Sequence, residues 1–150
     1  MTDIAKMRVA IDEAQRAADE LETPIGAALF INDELLSAEH NRKEQRRQAT
    51  AHAEILAIER ACEIVGNWRL IGAELFVTAE PCFMCAGAIL QARIARVVFG
   101  VCEPKFGGVI SRAQLFDADG LNHRVNYSYG LCADEIAEAM QTFFRMLRER

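Results

Sequence analysis

The sequence lacks the features that mark proteins outside the ordinary globular class. No segment approaches the roughly 18 consecutive apolar residues of a membrane-spanning helix, so we expect no membrane span. The first residues are polar and charged and lack the apolar run of a secretory signal peptide. We also find no linker, internal repeat or low-complexity segment. These absences predict a single domain over residues 1–150, located in the cytoplasm.

A disulfide framework is also missing. The five cysteines are an odd number and are scattered, apart from the pair Cys82 and Cys85. Reduced thiols in a cytosolic chain serve as metal ligands, reactive groups or small core residues. We interpret Cys62, Cys102 and Cys132 as small core residues, which leaves the pair for chemistry.

The charge is negative overall and unevenly distributed. The net charge is −5, and residues 1–39 hold nine acidic and three basic side chains. A protein that binds nucleic acid over its whole surface is therefore not expected, but a local basic patch is possible. Residues 42–47 place four cations within six positions, and we predict phosphate contact there through Arg42 and Arg46, with a solvated loop as the alternative. Lys105 and Arg124 are secondary candidates.

Hydrophobic periodicity predicts helices that alternate with strands. Proline and glycine punctuation and the Asn32-Asp33 turn divide these segments. Because strands alternate with helices, both faces of the sheet should be covered, and the early hairpin makes the sheet mixed. We therefore predict an α/β fold with three layers, α/β/α. The predicted helices cover residues 4–21, 51–65, 81–93 and 134–147, the strands cover 25–31, 34–38, 73–78, 94–100 and 124–129, and a loop covers 40–50.

Two short segments predict a metal site. Cys82 and Cys85 are three apart at the start of a predicted helix, with Pro81 in its first turn, so both sulfurs lie on one face. The helix N-terminus favours thiolates, the form that zinc binds. His52, at the start of another helix, supplies a third ligand. Three protein ligands leave a fourth tetrahedral position for water, which is typical of catalytic rather than structural zinc.

Glu54 supplies the proton transfer that such a site needs. A carboxylate beside an activated water can act first as base and then as acid. Residues two apart on a helix point in nearly opposite directions, so His52 and Glu54 can converge only in the first turn. We expect Thr50 to be the N-cap that places them there.

Other interpretations of these residues remain open. Cys82 and Cys85 alone could form a redox pair. A closed structural zinc site would need a fourth ligand, for which Cys102 is the candidate. His40 and His123 are expected to be loop or capping residues.

The chain resembles the bacterial tRNA-specific adenosine deaminases along nearly its whole length. The H-x-E and P-C-x-x-C segments are shared by all zinc nucleobase deaminases. The segments 122–125 and 143–145 are more specific to the tRNA enzymes. The remaining matching segments are Asn41, 50–54, 80–88, 93–94, 99–100, 105–108 and 121.

This resemblance implies a cytidine-deaminase-like fold with a five-stranded sheet, a homodimer and one Zn²⁺ per subunit. It implies conversion of the wobble adenosine of a tRNA anticodon stem-loop to inosine, with Glu54 as the proton shuttle. It places Asn41 on the flipped base, and an amide suits that role because it offers both donor and acceptor. The substrate contacts carried by the resemblance are Ile25, Ala53, Asn122, Phe143, Phe144 and Arg145.

Of the adjacent aromatic residues Phe143 and Phe144, one should face the core and the other should remain near the surface, where bases can stack on it. Two competing functions remain open beside RNA editing. One is deamination of a free base or nucleoside such as guanine, cytosine or adenosine, which the acidic net charge favours. The other is a zinc-stabilised RNA-binding module without catalysis.

Overall fold

The computed structural model describes residues 1–150 and contains one five-stranded sheet between helices. None of its helices combines the length and the hydrophobicity that a membrane span requires. The predicted three-layer α/β/α arrangement and the five strands are confirmed. In chain order the elements are α1 Asp3–Asp19, β1 Gly26–Ile31, β2 Glu34–His40, α2 Lys43–Arg46, α3 Ala53–Val65, β3 Ala73–Ala79, α4 Phe83–Gln91, β4 Arg96–Val101, a 3₁₀ turn Leu115–Asp117, β5 Asn126–Tyr129 and α5 Ala133–Arg148.

The sheet is mixed, as the early hairpin predicts. Its strand order is β2-β1-β3-β4-β5, with β1 antiparallel to both neighbours and β3, β4 and β5 parallel. Asn32 and Asp33 both have positive φ and form the tight hairpin turn. The parallel strands β3 and β4 are largely apolar and buried because helices cover both of their faces, whereas β5 at the sheet edge is polar and mostly exposed.

Each face of the sheet has its own apolar cluster. On one face, Met7 and Ala10 of α1 and Ile136 of α5 pack on Phe30 and Phe76. On the other, α3 and α4 pack on the alternate residues of the same strands, and this cluster is the larger, with 19 buried residues. The helix carrying the predicted glutamate and the helix carrying the cysteines therefore share one layer.

Gly26 marks the closest approach of α1 to the sheet. A Cβ placed there would lie 1.9 Å from the carbonyl oxygen of Ala10 and 2.5 Å from the amide nitrogen of Ala14. Only glycine lets the helix backbone pack this closely against the strand.

Several local predictions are wrong. The four-residue helix α2 lies inside the stretch predicted as a loop. Cys102 is exposed, so it is not a core residue, whereas Cys62 and Cys132 are partly buried and pack against the two apolar clusters as predicted. His40 is buried at the end of β2 rather than in a loop, because its ring is held by Glu13 of α1 and by Glu20 directly after it.

Candidate active site

The topology brings the ends of five helices and strands to one end of the sheet. Because β1 is antiparallel to β3, Ala27 pairs with Val77, and the start of β1 lies beside the end of β3. The last residue of β2 lies at the same end of the sheet, since His40 pairs with Gly26. Helices α3 and α4 begin there as well. Crevices outside the carboxyl ends of parallel strands are the usual ligand sites of α/β folds.

His52 occupies the N-cap position of α3. Its backbone is extended (φ −80°, ψ 151°), and its side chain makes no capping hydrogen bond, so the ring is available to a ligand. Glu54 is the second residue of the helix, which confirms that the two side chains belong to the first turn. The prediction of Thr50 as N-cap is wrong, because the Ala51 carbonyl accepts from the Arg42 amide and is held outside the helix.

Cys82 occupies the equivalent position of α4. It is the N-cap, its side chain makes no capping bond, and Cys85 follows as the third helical residue. The expectation that Pro81 lies in the first turn is wrong. Its carbonyl accepts a hydrogen bond from the Gly108 amide instead, and the helix ladder begins one residue later, at the Cys82 carbonyl.

His52, Cys82 and Cys85 form a group that fits a metal ion. Their ligand atoms all lie within 4.8 Å of one another. The Nδ1 atom of His52 is 3.6 Å from the sulfur of each cysteine. Zinc–sulfur bonds of 2.3 Å and zinc–nitrogen bonds of 2.0–2.1 Å at a tetrahedral angle place the ligand atoms about 3.6 Å apart. The donor set and its spacing therefore suit zinc.

No fourth protein ligand joins this group. Cys102, the candidate for a closed structural site, is outside it and is exposed. All five cysteines are free thiols, so the Cys82–Cys85 pair is not a disulfide. The three-ligand arrangement leaves one coordination position available to a non-protein group, as catalytic zinc sites require.

Glu54 is buried beside these ligands. The side chain is 4% exposed, and this burial, with a smaller effect from the charge of Cys82, raises the pKa of Glu54 to about 7. A carboxyl group with a pKa near neutrality can both accept and release a proton at physiological pH.

The two thiols differ in their proton affinity. A hydrogen bond from Cys85, followed by one from His52, lowers the pKa of Cys82 to about 4. The hydrogen bond to Cys82 and burial raise the pKa of Cys85. The lowered pKa of Cys82 favours its thiolate, which is the ligand form that a metal needs.

A small cleft opens beside the metal-binding group. Its volume is about 80 Å³, and it brings together Ile25, Asn41 and Ala53 with His52 and Glu54. Thr23 and Lys43 complete the lining. Asn41 is 5% exposed, and its amide Nδ2 donates a long hydrogen bond of 3.5 Å to the Thr23 carbonyl. The cleft therefore contains the predicted base contacts Ile25, Asn41 and Ala53 together with one predicted metal ligand and Glu54.

Carboxylates of α1 and the turn after it hold the chain on both sides of Asn41. The ring of His40 contacts Glu13 at 2.8 Å and Glu20 at 3.0 Å, one carboxylate on each nitrogen. The buried Glu22 accepts the amides of Glu44 at 3.0 Å and Gln45 at 2.7 Å. These residues were missed by sequence reasoning, because their partners lie 20 or more positions away.

The cations of this segment are not equivalent. Arg42 lies 3.8 Å from Glu39 and 4.0 Å from Glu20, so its charge is partly neutralised. Arg46 is exposed and forms no ion pair. The same is true of its neighbours Lys43 and Arg47. Arg46 is thus the better placed of the two predicted phosphate contacts.

The remaining predicted contacts lie outside the cleft. Lys105, Asn122, Arg124 and Arg145 are exposed on the surface. Phe143 is 4% exposed and belongs to the interior, whereas Phe144 is 39% exposed, so the expected division of the two aromatics is observed. The prediction that Phe143 contacts the substrate is therefore not supported by its burial, since α5 turns that side chain inward.

Glu80 is a further buried carboxylate that sequence reasoning missed. It is 3% exposed, directly precedes Pro81-Cys82, and accepts the amides of Glu103, Val109, Ile110 and Ser111 at 2.8–3.1 Å, together with the Ser111 hydroxyl. Burial acts to raise the pKa of Glu80, but these hydrogen bonds outweigh it and keep the pKa below its usual value.

Fold and site together define a nucleobase deaminase of the cytidine-deaminase-like class. The chain matches the MafB19-like deaminase family over residues 1–148. It is 46% identical over 144 residues to a tRNA-specific adenosine deaminase of Streptococcus pyogenes serotype M1, covering 96% of this chain and 84% of the relative. With the Bacillus subtilis (strain 168) enzyme of the same name, identity is 42% over 144 residues, covering 96% and 89%.

Solved structures agree with this placement. A structure from a study of A-to-I editing by tRNA:A34 deaminases at the wobble position of transfer RNA superposes with a TM-score of 0.86 and 42% identity, covering 89% of this chain and 97% of that chain. A guanine deaminase from Nitrosomonas europaea, at 22% identity and a TM-score of 0.81 over 95% and 84% of the two chains, shares the fold. The chain belongs to the MafB19-like deaminase family, with the tRNA-specific adenosine deaminases as its relatives.

Proposed function

We propose that this protein hydrolytically deaminates the wobble adenosine of a tRNA anticodon to inosine, with one zinc ion per subunit. The observation that carries the proposal is the cleft in which Asn41 and Glu54 lie beside the His52, Cys82 and Cys85 group. The relatives that cover most of this chain support tRNA as the substrate.

His52, Cys82 and Cys85 would hold the zinc ion. When bound, the ion supplies a Lewis acid that makes water acidic near neutral pH. Glu54 takes the proton from the attacking water and delivers it to the exocyclic nitrogen as the C6–N bond breaks. A carbon–oxygen bond to C6 replaces the broken carbon–nitrogen bond, so adenosine and water give inosine and ammonia.

Asn41 orients the base. Its amide group can donate to and accept from the edge of a purine, and it lies in the cleft that also contains Ile25 and Ala53. The cleft is small, so the base must leave its stack to enter, as in other enzymes that modify bases. We assign the exposed residues Arg46, Lys105, Arg124 and Arg145 to RNA phosphates, with Phe144 available for stacking. Arg42 and Asn122 remain proposed contacts.

The assembly and the location are further parts of the proposal. We propose a homodimer that acts in the cytoplasm. Equilibrium sedimentation of the zinc-loaded protein measures the mass of the assembly directly. A mass of one subunit would contradict the dimer.

The test of function is an assay with an anticodon stem-loop bearing a wobble adenosine. The zinc-loaded protein should convert it to inosine, while a matched stem-loop with guanosine at that position should stay unchanged. A parallel panel of guanine, cytosine, adenine and their nucleosides should show little turnover. Turnover of a free base with no conversion of RNA would overturn the tRNA assignment and favour the free-base alternative.

A further inference from the structure

The loop of residues 103–111 lies directly against the metal-binding end of α4. Gly107 forms an isolated antiparallel bridge with Cys82, and the Gly108 amide donates to the Pro81 carbonyl at 2.8 Å. A Cβ at Gly108 would lie 3.1 Å from the Cys82 carbonyl, and one at Gly107 would lie 2.4 Å from the Glu80 carboxylate. The two glycines therefore let the loop pack on the cysteine ligand.

This loop carries an aromatic ring beside the site. Phe106 precedes Gly107, so its Cα is about 3.8 Å from that of Gly107 and within about 10 Å of that of Cys82. The side chain is 64% exposed although it is large and apolar. It belongs to neither of the two apolar clusters of the core.

An unpaired cation accompanies the ring. Lys105 is exposed and forms no ion pair with any carboxylate of the chain. A basic side chain next to an exposed aromatic ring is the combination that binds single-stranded nucleic acid, because the cation attracts the phosphate and the ring stacks on a base. The Phe106 ring is in neither apolar cluster, and the Lys105 ammonium forms no hydrogen bond or ion pair with the protein.

We propose that Phe106 stacks on the nucleotide next to the target adenosine, with Lys105 on an adjoining phosphate, and that Glu80 is the residue that positions this loop. The inference rests on the proposed RNA substrate. Glu80 acts on the loop backbone. Its two carboxylate oxygens accept hydrogen bonds from four amides of the loop, and these bonds fix the loop relative to Cys82. Phe106 is thereby presented to the strand that leaves the cleft.

The first test compares Phe106→Leu and Phe106→Tyr in the zinc-loaded enzyme with the adenosine stem-loop. Loss of one base stack corresponds to roughly a 5- to 150-fold effect, so the leucine variant should raise KM by that factor with little change in kcat. The tyrosine variant keeps the ring and should behave like the wild type. Stem-loops with an abasic residue 5′ or 3′ of the target adenosine complete a double-mutant cycle between Phe106 and the neighbouring base.

On the stem-loop that lacks the stacked base, Phe106→Leu should raise KM no further.

Ile71→Ala is the matched control. Ile71 is 68% exposed and lies before the start of β3, whereas Glu80 follows its end. The seven residues of β3 separate the two ends of the strand by about 20 Å. This variant should edit RNA at the wild-type rate. A Phe106→Leu KM within twofold of the wild type, or a penalty that persists on both abasic RNAs, would overturn the stacking assignment. A wild-type enzyme that leaves the stem-loop unedited would instead overturn the proposed function.

Glu80→Gln tests the positioning part separately from activity. An amide has one acceptor atom where the carboxylate has two, so some loop amides lose their partner. Hydrogen exchange of residues 103–111 should accelerate in the zinc-loaded variant, while the amides of β3 and β4 keep their protection. The stem-loop KM should rise, and adding Phe106→Leu should raise it no further. Wild-type exchange in the loop would overturn this role of Glu80.

Discussion

At the scale of single residues, Glu54 carries the chemistry. Its burial and its place in the first turn of α3, two residues after His52, fit a proton shuttle. Glu54→Gln preserves shape but cannot accept a proton, so deamination of the stem-loop should fall by about 10²–10⁴-fold. Single-turnover rates measure the loss.

The control for this variant is metal content. Zinc per subunit and RNA affinity should remain at wild-type values, since Glu54 is not among the metal-binding side chains. An unchanged rate would exclude Glu54 as the shuttle. If the wild type and Glu54→Gln both bound RNA with the same affinity and neither deaminated it, the result would support the non-catalytic RNA-binding module.

The residues of the site differ in how visible they are in the sequence. His52, Glu54, Cys82 and Cys85 could be predicted because short fixed spacings at helix starts determine their geometry. Glu80 could not, because its importance lies in backbone amides 23–31 positions away. Such partners leave no local pattern for sequence reasoning to detect.

At the scale of elements, the packing of α1 on β1 depends on Gly26. A methyl group there overlaps the Ala10 carbonyl oxygen at 1.9 Å, so the helix must move away from the strand. Gly26→Ala should lower the free energy of unfolding by about 1–3 kcal/mol or more. Urea denaturation of the zinc-loaded protein measures the change.

Gly87 provides the comparison within α4. A Cβ there meets nothing within 4 Å, and alanine favours helix over glycine by about 1 kcal/mol. Gly87→Ala should therefore leave stability unchanged or raise it. Equal destabilisation by both variants would show that the close approach of α1 is not what requires glycine at residue 26.

The elements themselves followed the sequence where hydrophobic periodicity was strong. The central strands and the long helices α1, α3 and α5 were predicted within a few residues. The four-residue α2 was not, since so short a helix has no period and is held by Glu22 from the turn after α1. Helix starts were misplaced by one or two residues because tertiary hydrogen bonds hold Ala51 and Pro81 outside the helices.

At the scale of the whole molecule, a charged network ties α1 to the sheet. Lys6, which is 3% exposed, contacts Glu74 at 2.7 Å, and Arg96 joins Glu74 at 2.8 Å to Asp3 at 2.5 Å. Burial acts to raise the pKa of Glu74, but the hydrogen bonds from Lys6 and Arg96 outweigh it and lower the pKa below its usual value.

The pH dependence of stability follows from that direction. A carboxyl group with a lowered native pKa stabilises the fold fully above its unfolded pKa of about 4.3, and this contribution is lost as pH falls through the native pKa. Glu74→Gln should cost about 1–3 kcal/mol at pH 7. The difference from wild type, measured by urea denaturation at several pH values, should shrink below pH 4. A difference independent of pH would contradict the ionic role of Glu74.

The most direct measurement titrates zinc into metal-stripped protein and follows deamination of the adenosine stem-loop. The protein should be inactive without metal, and activity should rise in proportion to added zinc and saturate at one ion per subunit. Cys85→Ser should need a much higher zinc concentration, because it removes one of the three ligands. Full activity of the metal-free protein would contradict the account.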